Sequence, residues 1–131
     1  MPAPAPTDPG ELKRLIDVRN LLLRLHKALL DAQRARYEQA NGKVANAGEF
    51  LQVVISDPSF DWLHRFSELI VEIDEATDAK QPISQTQTAA LLEQTRKLVQ
   101  AGENERYQKT LASDANASRL HQEITQLLHR A

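Results

Sequence analysis

An uninterrupted stretch from Glu11 to Ala40, without Gly or Pro, constrains the fold of this chain more than any other feature. Asp8 and Pro9 stand before it as a typical N-cap and first helical residue. Gly42 follows it and can adopt the left-handed conformation that ends a helix. The sequence therefore predicts one helix from residue 9 to about residue 40, which would be about 48 Å long.

The apolar side of this first helix is unusually wide. In helical projection its apolar residues cover an arc of about 220°, so the helix is expected to pack against two or three neighbours. Leu22, Leu25 and Leu29 lie on this arc and are predicted to be fully buried. We expect the helices that follow to surround the first.

Three further helices are predicted from cap signals and apolar spacing. The second starts after Asn46 and is broken at Asp57-Pro58, because a proline forces the residue before it out of the helical conformation. The third spans about residues 85–101. The fourth reaches the C-terminus, with a bend expected within residues 113–118, which are rich in side chains that cap helices.

The predicted fold class is therefore all-α, as a four-helix up-down bundle with helix 2 broken and a bend in helix 4. Residues 1–8 are predicted to be a disordered Pro/Ala leader, and residues 9–131 a single helical domain. The length of 131 residues is typical of one domain.

Composition and charge exclude several functions. The chain has no cysteine, so thiolate metal sites and a cysteine nucleophile are excluded. No apolar run approaches the roughly 20 residues that span a bilayer, and the N-terminus lacks an apolar signal core, so a cytoplasmic protein without a membrane partner is expected. The net charge is −2, and three acids, Asp17, Asp31 and Glu38, interrupt the basic side of the first helix. A nucleic-acid partner is therefore not expected.

The sequence contains no motif that commits to catalysis. G-x-S-x-G, His-Glu-x-x-His and Glu-x-x-His are all absent, and no glycine-rich loop could hold a phosphate. The absence of these motifs therefore favours a protein that is not an enzyme, and no cofactor is predicted.

Polar residues interrupt the apolar side of the first helix at a spacing of seven. Arg19, His26 and Gln33 share this line, and such polar residues in a helical seam usually fix register at some cost in stability. The alternative is a polar pocket that binds a metal or a small ligand. In an antiparallel arrangement His26 falls level with Trp62, His64 and Asp114. The candidate ligand or metal residues are His26, His64, Asp114, Arg19 and Trp62.

Two surface features of residues 57–78 point to a protein partner instead. Phe60 and Val71 lie on a second apolar line, which is either two scattered surface residues or a contact with another part of the chain or a partner. The acidic residues form a second candidate surface that would suit a basic helix or tail. They are Glu68, Glu72, Glu75 and Asp78.

The expected function is thus a small soluble interaction or regulatory module without catalytic activity. A protein partner or a homodimer is expected, because the apolar arc of the first helix is wide and catalytic motifs are absent. The alternative is a bundle that binds a metal or small ligand in a buried polar cluster around His26.

Overall fold

The computed structural model describes residues 5–100 and 104–129. In this part the chain is all-helical, with six α-helices and one 3-10 helix, and its only extended pairing is an isolated bridge between Pro6 and Ser84. No helix among these residues has both the length and the apolar character needed to cross a membrane. The α-helices are α1 (Pro9–Asn41), α2 (Ala47–Ser56), α3 (His64–Asp78), α4 (Gln85–Val99), α5 (Glu105–Ser113) and α6 (Ala115–His129), and the 3-10 helix is Pro58–Leu63.

Helix α1 begins and ends where its cap residues predict. The Asp8 carboxylate accepts hydrogen bonds from the backbone N–H groups of Gly10 and Glu11. At the other end Gly42 has φ of 86° and donates its backbone N–H to the carbonyl of Glu38. The left-handed conformation at Gly42 terminates the helix one residue later than predicted.

The core is built on α1, which contacts α3, α4, α5, α6 and the 3-10 helix. Leu22, Leu25 and Leu29 have no exposed surface, so their predicted burial is confirmed. The buried apolar arc is narrower than predicted, however, because Ile16 and Leu23 remain largely exposed. No described helix covers that side of α1.

The predicted helix 2 is divided at Asp57-Pro58. Helix α2 ends at Ser56, and the Asp57 carboxylate accepts hydrogen bonds from the backbone N–H and the hydroxyl of Ser59. The chain then forms the 3-10 helix before α3 begins at His64. The break was predicted from the proline, whereas the 3-10 helix was not.

The predicted bend in helix 4 is a complete break at Asp114. Its backbone is extended, with φ of −125° and ψ of 106°, and its carboxylate accepts the backbone N–H of Ala117 at 3.0 Å. The cap therefore ends α5 and starts α6 within two residues. The described residues thus form six helices where four were predicted. The end predicted for the third helix, at about residue 101, lies outside the described residues.

The N-terminal segment is partly paired rather than free. The backbone N–H of Thr7 donates to the carbonyl of Ile83, and that of Gln85 donates to the carbonyl of Ala5, both at 3.0 Å. These two bonds hold the segment against the start of α4. The predicted disorder of residues 1–8 is therefore wrong from Ala5 onward, and residues 1–4 lie outside the described part.

Candidate functional site

Two of the polar residues on the seam of α1, Arg19 and Gln33, each pair with a side chain of another element. Arg19 forms a two-pronged ion pair with Asp74 of α3, with Nε–Oδ1 at 2.7 Å and Nη2–Oδ2 at 3.1 Å. Gln33 is buried, and its Oε1 accepts the indole N–H of Trp62 at 3.3 Å. Both pairs join α1 to the segment that runs antiparallel to it. They therefore fix the register between these elements, as polar residues in a helical seam do.

His26 and His64 are near enough to influence each other. Burial is the main cause that lowers the pKa of His26, and the charge of His64 lowers it further. The Nε2 atom of His64 lies 3.1 Å from the carbonyl oxygen of Val54, so this ring links α2 to the start of α3. The hydrogen bond requires the proton on Nε2.

The other predicted ligands are engaged elsewhere. Asp114 caps α6, Arg19 is paired with Asp74, and Trp62 donates to Gln33. Among the described residues, no three His, Asp or Glu side chains lie close enough together to hold a metal ion. The structure places His64 within electrostatic reach of His26 and distributes the remaining three candidates over separate contacts.

A buried pair that the sequence reasoning missed lies between α5 and α6. Tyr107 is fully buried, and its hydroxyl lies 2.7 Å from Nδ1 of His121. Burial raises the pKa of Tyr107 and lowers that of His121, so both side chains are held neutral. The tyrosine ring also packs edge-on against Phe66 with the ring centroids 5.3 Å apart. The sequence offered no signal, because the break at Asp114 separates the two residues.

Of the alternatives left open for Phe60 and Val71, Phe60 makes the contact with another part of the chain and is not available to a partner. This side chain has no exposed surface and packs between Tyr37 and Phe50, with ring centroids 6.0 and 5.9 Å away. The 3-10 helix turns Phe60 inward, which a projection based on a regular α-helix could not show. Val71, by contrast, remains 52% exposed.

Helix α2 is the least buried element. Its inner side packs through Phe50, whose ring contacts the ring of Phe60. The guanidinium carbon of Arg34 lies 4.5 Å from the centroid of the Phe50 ring. None of its residues is buried. Its outer side presents Leu51 and Ile55, one helical turn apart and 57% and 61% exposed. Only one charged residue, Glu49, occurs in the helix.

A second exposed apolar pair lies on α1 and α3. Leu23 is one turn beyond Arg19, and Val71 is one turn before Asp74, so the ion pair places these two side chains level on neighbouring antiparallel helices. Leu23 is 45% exposed. The His64 to Val54 hydrogen bond joins α2 to the start of the same α3 helix. We call Leu23, Leu51, Ile55 and Val71 the apolar surface.

An open cleft of about 820 Å³ lies between α3, α4 and the N-terminal segment. It contains two of the four predicted acidic residues, Glu72 and Glu75, whereas Glu68 and Asp78 lie outside its lining. Glu72 forms a hydrogen-bonded ion pair with Arg65 at 3.3 Å. The lining residues are Pro6, Glu72, Glu75, Ala76, Ala79, Gln81, Pro82, Ser84, Gln87, Ala90, Leu91 and Gln94.

Comparison with protein-family models, curated proteins and solved structures found no match for this chain.

Proposed function

We propose that this protein is a small helical interaction module without catalytic activity, and that it self-associates through the apolar surface. In this proposal the fold is an up-down bundle with four positions, which are filled by α1, α3, α4 and the α5–α6 pair. Helix α2 packs on the outside of this bundle. The observation that carries the proposal is the exposure of Leu51 and Ile55 on a helix with no buried residue.

The exposure of α2 argues for a partner because the helix gains little within the chain. An apolar helix is normally stabilised by burying one face, and exposed clusters of large apolar side chains mark interaction sites. Phe50 supplies the main aromatic contact of α2 with the core. Association would cover Leu51 and Ile55, which would otherwise remain in water.

A second copy of this chain suits the surface. A two-fold interface brings the same patch of both copies together, so it needs a patch that does not repel itself. The exposed side of α2 offers Leu51 and Ile55, and Glu49 is the only charge on the helix. The exposed side of α2 therefore offers a strongly charged partner no ion pair apart from Glu49.

The size of the surface predicts weak association. The four side chains of the apolar surface on each copy are about half exposed. Burying all eight between two copies would contribute on the order of 8 kcal/mol to the free energy of association. Association costs about 4–15 kcal/mol in lost freedom, so only a small net gain remains. We therefore expect a dimer that forms with rising concentration rather than an obligate one.

Light scattering after size-exclusion chromatography, over a range of protein concentrations, tests the proposal. The wild-type mass should rise from that of a monomer toward that of a dimer. The double variant Leu51→Gln/Ile55→Gln should remain a monomer, because glutamine keeps the helix and removes the apolar area. Ile16→Gln is the matched control, since Ile16 is 42% exposed and lies on α1, two turns before Leu23 and on a different helix from Leu51 and Ile55.

Two outcomes would contradict the proposal. One is a monomer mass for the wild-type protein at every concentration. The other is a wild-type dimer that Leu51→Gln/Ile55→Gln and Ile16→Gln weaken equally, since loss of association would then not be specific to the exposed side of α2.

A further inference from the structure

The cleft between α3 and α4 has an apolar floor. Leu91 and Ala76 lie at its base and are mostly buried, and Ala90 and Pro6 form parts of its walls. The Pro6 wall is held by the backbone bonds that pair its neighbours Ala5 and Thr7 with the start of α4. The floor can therefore accept small apolar side chains without rearrangement of the backbone.

The charged residues that line the cleft are all acidic. Among the described residues that line it, Glu72 and Glu75 are acidic, and none is Lys or Arg. Arg65, which pairs with Glu72, lies outside the lining. Three glutamines, Gln81, Gln87 and Gln94, add hydrogen-bonding groups around the cleft.

The C-terminal end of α3 adds to this negative potential. A helix C-terminus carries a partial negative charge and is stabilised by basic residues. The last turn of α3 has no basic residue and instead contains Glu75 and Asp78. Helix α4 follows the usual rule, with Arg96 and Lys97 in its last turn. The end of α3 is therefore placed so that an external cation stabilises it.

We propose that this cleft binds a basic segment of another protein, in which lysine or arginine side chains alternate with small apolar residues. The cations contact Glu72 and Glu75, and the small residues rest on Leu91 and Ala76. Charge complementarity selects this occupant, because an acidic segment would be repelled by both carboxylates. An uncharged segment would leave Glu72 with Arg65 as its partner and Glu75 without an ion pair among the described residues. The cleft and the apolar surface involve different residues, so each proposal can fail without the other.

Fluorescence anisotropy with a labelled peptide of alternating lysine and alanine tests the inference. We expect the wild-type protein to bind this peptide and not the matching glutamate–alanine peptide. Affinity should fall steeply as the NaCl concentration rises from about 50 to about 500 mM, because exposed ion pairs are screened by salt. No binding of the lysine peptide at low salt overturns the proposal.

Three variants locate the binding. Glu72→Gln/Glu75→Gln should weaken it about three- to tenfold, since each exposed ion pair contributes modestly. Asp31→Asn/Glu123→Gln changes the net charge equally outside the cleft and should alter affinity less than about twofold. Ala90→Trp should abolish binding by filling the cleft while its carboxylates remain.

Comparing the three variants shows whether the peptide binds in the cleft. Equal loss in the two charge variants, or unchanged binding in Ala90→Trp, overturns the proposal, because binding would then follow overall charge rather than the cleft. If Ala90→Trp does not fold by circular dichroism, the two charge variants decide alone. Repeating the titration in Leu51→Gln/Ile55→Gln separates this site from self-association, since the peptide affinity should not change there.

Discussion

At the scale of single residues, the buried side-chain polar atoms of the described residues have hydrogen-bond partners, with the Thr7 hydroxyl as the exception. Gln33 accepts from Trp62, and Tyr107 is paired with His121. The sequence placed Gln33 on the seam of α1, because a spacing of seven within one helix is readable from the sequence alone. The Tyr107–His121 pair was not predictable, because it depends on how α5 and α6 turn at Asp114.

Tyr107→Phe tests the buried pair. The change keeps the ring and removes the hydroxyl that bonds to His121, so we expect a loss of about 1 kcal/mol in the free energy of unfolding. Urea denaturation followed by circular dichroism measures it. Tyr37→Phe is the control, because the Tyr37 hydroxyl forms no hydrogen bond within the described part of the chain, and it should change stability by less than about 0.5 kcal/mol.

A double-mutant cycle with His121→Ala separates the hydrogen bond from other effects. If the two changes are coupled, the double variant loses less stability than the sum of the single ones. Strict additivity would show that the pair contributes nothing, and the interpretation of this contact would be wrong.

At the scale of secondary structure, the sequence predicted helix ends better than helix faces. Caps act over a few residues, so the start of α1 at Asp8 and the break at Asp57-Pro58 could be predicted directly. Which face is buried depends on tertiary packing. Phe60 lies in the core because the 3-10 helix rotates it inward, and α2 is exposed because none of the described helices covers its outer side.

Asp114→Ala tests the break between α5 and α6. The carboxylate accepts the backbone N–H of Ala117, so its loss should reduce the free energy of unfolding by about 1 kcal/mol. Thermal denaturation should show a lower Tm for this variant. Asp31→Ala is the control, because Asp31 is exposed and, among the described residues, pairs only with Lys27 one turn earlier in the same helix. An equal Tm for both variants would contradict the capping role.

At the scale of the whole molecule, α1 forms the centre and the two proposed surfaces use different helices. The contacts of α1 with α3, α4, α5 and α6 account for the burial of its leucines. The apolar surface lies on α1, α2 and α3, whereas the acidic cleft lies between α3 and α4. The predicted metal cluster depended on exact registers between helices, which the sequence alone could not supply.

Acid should destabilise the whole fold. The folded protein lowers the pKa of both His26 and His121, mainly through burial. Because these pKa values are lower in the folded protein, the unfolded chain binds protons first as the pH falls. The free energy of unfolding is therefore highest above about pH 6.5. It declines below that pH until the pKa values of the folded protein are passed. Urea denaturation between pH 8 and pH 5 measures this. His26→Gln/His121→Gln should flatten the profile, and an unchanged slope would contradict the assignment.

The most direct test of the central claim, that the exposed side of α2 is an association surface, is a comparison of methyl NMR spectra at about 20 μM and about 1 mM protein. We expect concentration-dependent shifts for the methyl groups of Leu51 and Ile55, and none for those of Leu22 and Leu29, which lie in the core. Spectra that superimpose at both concentrations, or shifts confined to methyl groups outside the apolar surface, would contradict it.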